Sequence, residues 1–199
     1  MSRPRSRILF IGVAALGIVF AGPGPVLAQE GIEAGVRLFE NGQFAAARRV
    51  FASAVRDNPH DAVAAFYLGR TFFAEENYDH AVRWLEQAVE RDGGNAEYHL
   101  WLGRAYGHQA MRASVWRQFF LARKVKAHLE KAVELDPDNT AARLDLVEYY
   151  LKAPGFLGGS AEKAHAQAEE IKRRDAERGR EAEEMLAAAE WYKQQVKNE

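Results

Sequence analysis

Gly35, Gly69 and Gly103 recur at a spacing of 34 residues, and the sequence around them recurs too. Ala34, Leu68 and Leu102 precede the glycines, and Leu38, Phe72 and Tyr106 follow three residues later. A second series keeps the interval: Phe44, Ala47, Phe51 and Ala54 correspond to Tyr78, Ala81, Leu85 and Ala88. Apolar residues three and four apart mark helices. Asn41-Gly42 and Glu76-Asn77 supply turn chemistry between the two series. Asp57-Asn58-Pro59 and Arg91-Asp92-Gly93-Gly94 close the units with helix-stopping residues. Each unit is therefore expected to be a pair of helices. A glycine inside a helix costs about 1 kcal/mol relative to alanine. Three at one phase predict a crossing where a neighbouring helix needs the space. No such pair buries its own faces, so the units must stack.

The later units depart from this metre. In the third, the closing run Leu129, Ala132 and Asp136-Pro137 arrives ten residues late. The extra residues are expected between the helices, around positions 107–121, with Ser114 starting a long second helix. A fourth unit begins near Thr140 and carries Leu146 and Tyr150. The run Ala153-Pro154-Gly155-Phe156-Leu157-Gly158-Gly159 interrupts it. Ser160 then caps a helix bearing Ala164, Ala168 and Ile171. The tail from Glu177 to Lys197 reads as a closing helix, with Met185, Leu186, Ala189, Trp191 and Tyr192 as its apolar face.

This pattern of small and aromatic positions, with a proline ending the first unit, resembles the tetratricopeptide repeat across nearly all of residues 29–175. The resemblance implies an all-α, right-handed α-solenoid of about four helix pairs with a C-terminal capping helix over 176–199. It further implies that first helices line a concave face where partners lie. By register, that face takes Val36 and Phe39 from the first unit, Phe66, Arg70 and Phe73 from the second, and Leu100 and Arg104 from the third. Leu144 and Glu148 follow in the fourth. Arg70 and Arg104 occupy equivalent places and are candidates to grip a carboxylate, or to pair with Glu97 or Glu148. The lysine-asparagine pattern by which some relatives clamp chaperone termini is missing. The proline-glycine loop is similar to one in a group of exported bacterial proteins of this kind.

The segment Gln109 to Lys126 interleaves Met111, Trp116, Phe119 and Phe120 with five basic residues. Its aromatics are expected to pack on Phe156 and Leu157 of the late loop. A membrane surface or a partner is the other use for such a pattern.

Catalytic chemistry finds no support in the sequence. His60, His80, His99, His108, His128 and His165 show no metal-binding spacing, although His99 and His108 could approach one another. No nucleophile elbow, phosphate loop or dinucleotide fingerprint occurs. We expect no enzyme activity, no metal and no cofactor.

The amino terminus reads as an export signal. Arg3, Arg5 and Arg7 precede an apolar run from Ile8 to Phe20, then Gly22-Pro23-Gly24-Pro25, then Val26-Leu27-Ala28. Cleavage after Ala28 would remove residues 1–28 and leave a periplasmic or secreted protein that does not span the membrane. The formal charge is −1; without the three arginines the remainder holds 24 basic and 28 acidic residues, or −4. That balance argues against a nucleic acid partner, which needs a basic stripe. There is no cysteine for a disulfide or lipid anchor. The leading expectation is an adaptor or scaffold that takes a protein or peptide in the groove. The alternative is an accessory part of a solute-transport or envelope-assembly system.

Overall fold

The computed structural model describes residues 25–198. They form α1 (Pro25–Glu40), α2 (Phe44–Asp57), α3 (Ala62–Ala74), α4 (Tyr78–Arg91), α5 (Ala96–Met111), α6 (Val115–Leu135), α7 (Thr140–Lys152), α8 (Ala161–Arg174) and α9 (Ala176–Asn198). A 3-10 turn, Gly155–Leu157, lies between α7 and α8. No strand occurs among the described residues. Each helix packs on the next; in addition α1 touches α3, α3 touches α5, and α7 touches α9. The odd-numbered helices thus share one layer of a solenoid of helix pairs, and α9 closes its end.

The repeated glycines sit at the crossings. A Cβ on Gly35 would lie 2.6 Å from the Phe51 ring, and one on Gly69 would lie 2.7 Å from Leu85 Cγ. One on Gly103 would lie 3.0 Å from Leu129 Cδ2. Phe51 and Leu85 are fully buried and Leu129 nearly so, each seated over the glycine of its partner helix. The turns inside the first two pairs share a left-handed residue at equivalent positions, Gly42 (φ 70°) and Glu76 (φ 57°). Helix starts are capped by side chains that satisfy free N–H groups. Asp61 accepts from the Ala64 N–H at 2.9 Å, Asn139 from Ala142 at 2.9 Å, and Ser160 from Lys163 at 3.2 Å.

Two apolar cores result. The first runs from α1 to α5 and takes in Leu121; the second contains Leu100 and continues through α6 to α9.

The late units differ from expectation in part. A long α6 starts at Ser114 as expected, but the extra residues lengthen α5 too, so that α5 has 16 residues and α6 has 21, where α3 and α4 have 13 and 14. The physical reason lies in residues 107–121, which contain good helix formers and no proline. The loop after α7 is compact. Tyr149 Oη donates to the Leu157 carbonyl (2.8 Å), the Gly159 N–H to Pro154 (3.1 Å), and the Ser160 N–H to Tyr150 (2.9 Å). A Cβ on Gly159 would fall 1.7 Å from the Ala153 oxygen, so only glycine fits.

The expected aromatic cluster forms only at one contact. Phe119 stacks on Phe156 with centroids 6.4 Å apart. Trp116 and Phe120 instead face solvent. In the tail, Ala182 and Leu186 are buried, whereas Trp191 and Tyr192 are exposed. Here α9, with 23 residues, outruns α8, with 14. At 1.5 Å per residue its last turns have nothing to pack on. The expected export signal lies, up to residue 24, outside the described residues.

Candidate peptide-binding groove

The face shared by α1, α3 and α5 is built from rings and guanidinium groups. Arg70, on α3, stands with Cζ 4.2 Å from the Trp101 ring centroid on α5 and 4.9 Å from Phe39 on α1. Arg104 covers Trp101 at 5.0 Å, so that indole contacts two cations. Such stacking is worth about 0.5–2 kcal/mol per contact, more where water is excluded. Phe73 meets the edge of Trp101 at 5.3 Å and of His108 at 5.0 Å, and His108 stacks on Tyr78 at 4.6 Å. The helix period brings these rings to one face. Residues 66, 70 and 73 share a stripe, as do 97, 101, 104 and 108.

The two arginines differ in their commitments. Arg104 is already held: Nε donates to Asp145 Oδ2 at 2.6 Å and a terminal nitrogen to Oδ1 at 3.2 Å. This bidentate pair ties α5 to α7. Burial raises the Asp145 carboxyl above its ordinary range, with Arg104 pulling the other way. Arg70 has only a long ion pair, 3.6 Å, to Glu97, whose side chain is 54% exposed. Its Nε is buried with no hydrogen-bond partner. Burial pushes this guanidinium down, and Glu97 opposes the shift. Beside these residues, between α5 and α7, lies an open depression of about 690 Å³ walled by Glu97, Trp101, Arg104, Asn139 and Arg178.

Of the residues selected by register, Phe39, Arg70, Phe73 and Arg104 come together on this face. Val36 is half-buried against the first core. Phe66 and Leu100 must be corrected to core positions, 2% and 4% exposed. Phe66 lies against Tyr98 with ring centroids 4.6 Å apart and planes tilted by 31°, because α3 and α5 approach closely there. Leu144 is half-buried, and Glu148 pairs with Lys152. Trp101 was missed, although it stands one repeat after Tyr67 and is the only tryptophan on a first helix of the pairs.

The histidines also find other partners than expected. His99 bonds to His128 (Nδ1 to Nδ1, 3.0 Å) and to the Gly93 carbonyl through Nε2 (3.1 Å), and not to His108. No group of three potential metal ligands occurs among the described residues.

The described residues thus form an α-solenoid of stacked helical hairpins with one open aromatic face. Residues 38–106 match the family model described as Tetratricopeptide repeat. A similar solved structure is TTC0263, a thermophilic TPR protein of Thermus thermophilus. It has a TM-score of 0.65 at 23% identity and covers 81% of this chain and 80% of that one. Another is YrrB, described as a TPR protein with an unusual peptide-binding site (TM-score 0.65, 18% identity, 84% and 78% covered). The Pre-mRNA-splicing factor 6 of Saccharomyces cerevisiae is 28% identical over 72 residues. That match takes in 36% of this chain and 8% of the yeast protein, so the chain spans a small part of that relative's length.

Proposed function

We propose that this chain is a non-catalytic adaptor that holds an extended segment of another protein against α1, α3 and α5. The observation that carries the reading is Arg70, a cation set among Phe39 and Trp101 with one weak ion pair and an unpartnered Nε. Glu97 is exposed enough to swing aside and leave the guanidinium to an incoming carboxylate. The rings beside it offer apolar surface at low entropic cost, which suits binding hot spots. The ligand is thus an acidic peptide with apolar or aromatic anchors. YrrB's peptide-binding site agrees with such a use of the fold. The open depression next to Trp101 has charged walls, which suits a polypeptide better than a small apolar solute.

Arrayed acidic-apolar peptides would identify a ligand, and its affinity would then be compared across variants. Arg70→Gln and Trp101→Ala should each weaken binding about tenfold or more, with far-UV circular dichroism unchanged. Undiminished affinity in both variants would remove the groove from consideration.

The protein is also proposed to act outside the cytoplasm. Support comes from the arginine-led apolar segment and Val26-Leu27-Ala28. Amino-terminal sequencing of the protein from fractionated cells should begin at Gln29; an intact terminus in the cytoplasmic fraction would refute export.

A further inference from the structure

A second surface stands apart from the groove, on the rim where the α5–α6 and α7–α8 turns lie. The helices alternate in direction, so α9, antiparallel to α8, brings its carboxyl end to the same rim. Two contacts fix this placement. Glu190 on α9 meets His165 in the first turns of α8 at 3.4 Å, and Phe156 of the late loop stacks on Phe119 of α6 at 6.4 Å. Of the large apolar side chains left exposed among the described residues, all but Val63 are on this rim. Trp116 is 83% exposed, Phe156 79%, Tyr192 66%, Phe120 64% and Trp191 63%. Apolar groups on this scale are not left in water without a use.

The charge on the rim leans positive. Residues 109–126, 149–161 and 191–196 hold five, one and one basic residues, against the bordering acids Glu148, Glu162 and Glu190. The whole chain, by contrast, carries a net −1. Part of the positive charge is neutralised locally: Arg112 pairs with Glu76, Lys124 with Glu86, Lys126 with Glu130 and Lys152 with Glu148. Arg117, Arg123 and Lys193 have no ion pair among the described residues. On the same rim the turn of the second pair is acidic, with Glu75, Glu76 and Asp79. The basic, aromatic stretch therefore belongs to the C-terminal half alone.

We infer that this rim docks on the surface of an anionic lipid bilayer. Tryptophan and tyrosine favour the headgroup boundary, phenylalanine the acyl side, and unpaired arginine and lysine the lipid phosphates. The rim projects as a row of helix ends and a loop, which suits a deformable flat surface. No described helix is long and apolar enough to cross the membrane, and the contact inferred for this rim is a peripheral one.

The chain has no cysteine, so a single introduced one reports its own site. Full-length protein would carry an environment-sensitive fluorophore at Val115→Cys, at Gln194→Cys or, on the opposite rim, at Glu90→Cys. Vesicles of phosphatidylglycerol and phosphatidylcholine should shift emission to the blue at 115 and 194 but not at 90. Phosphatidylcholine alone should leave all three unchanged. Arg117→Glu with Arg123→Glu, and separately Trp116→Ser with Phe120→Ser, should each weaken the response about tenfold or more. The control at position 90 separates rim docking from attachment through the apolar segment at residues 8–20. Equal shifts at all three sites, or none with anionic vesicles, would overturn the proposal. A shift that grows with protein concentration without lipid would replace the bilayer with a second copy. Crosslinking from position 115 to a protein, with no response to lipid, would replace it with a protein partner.

Discussion

At Gly69 a missing methyl group sets the distance between two helices. A Cβ there meets Leu85 Cγ at 2.7 Å and the Leu85 backbone nitrogen at 3.1 Å, so neither a rotamer change nor a small shift makes room. At Gly103 the same atom meets Leu129 side-chain carbons at 3.0 and 3.1 Å, and the backbone nitrogen is 3.6 Å away. Overpacking costs about 1–3 kcal/mol, while alanine returns about 1 kcal/mol of helix propensity. Gly69→Ala should therefore lower stability by about 1–2 kcal/mol, and Gly103→Ala should be near neutral. Urea unfolding midpoints of the two variants decide this; equal losses would mean that the crossings are equally tight. These positions were legible in the sequence because a periodic cost demands a periodic reason. Trp101 was not, because a ring on a first helix carries no mark of whether it fills a core or stacks on a cation from the next helix.

Among the elements, α5 and α7 are joined differently from the other first helices. The Arg104–Asp145 pair bridges them, with side chains 29% and 20% exposed. Burial raises the Asp145 carboxyl in spite of its partner, so the pair holds orientation more than it adds stability. Arg104→Met leaves a half-buried carboxylate alone and should cost about 2–3 kcal/mol. Arg104→Met with Asp145→Leu should recover most of that loss. A thermal-unfolding double-mutant cycle measures the coupling, and a double variant as unstable as the single would contradict it. The sequence announced helix pairs wherever 34-residue spacing held, and it located the long α6 start at Ser114. It did not show that α5 is lengthened as well, since residue number alone does not separate a loop from an added turn. Nor did it show how far Trp191 lies beyond the end of α8, which depends on where the partner helix stops.

For the whole molecule, the two cores meet along α5 and α6, and the His99–His128 contact lies on that seam. His99 donates through Nε2 to the Gly93 carbonyl, so its Nδ1 is the acceptor and His128 Nδ1 the donor. Burial pushes His128 down to about 4, with His99 and Lys124 acting in the same direction. Burial also lowers His99 and His108. Unfolded histidines titrate near about 6.5. Below that pH the unfolded chain binds more protons than the folded one, so stability falls. It should be full above pH about 6.5 and decline toward pH about 4. Urea midpoints measured across that range test the claim. His128→Asn, which keeps a donor at the ring position, should flatten the slope; an unaltered slope would absolve the pair.

Alternation of helix direction has a consequence for how such a chain can vary. Residues added within a hairpin emerge at the turn rim, while the opposite ends, where one pair hands over to the next, stay in step; Asp136-Pro137 still closes the third pair as Asp57-Asn58-Pro59 closes the first. One margin of the stack is thus free to acquire ornament without disturbing the other. The protein can gain a new contact surface by lengthening one hairpin, with its inner wall left as it was.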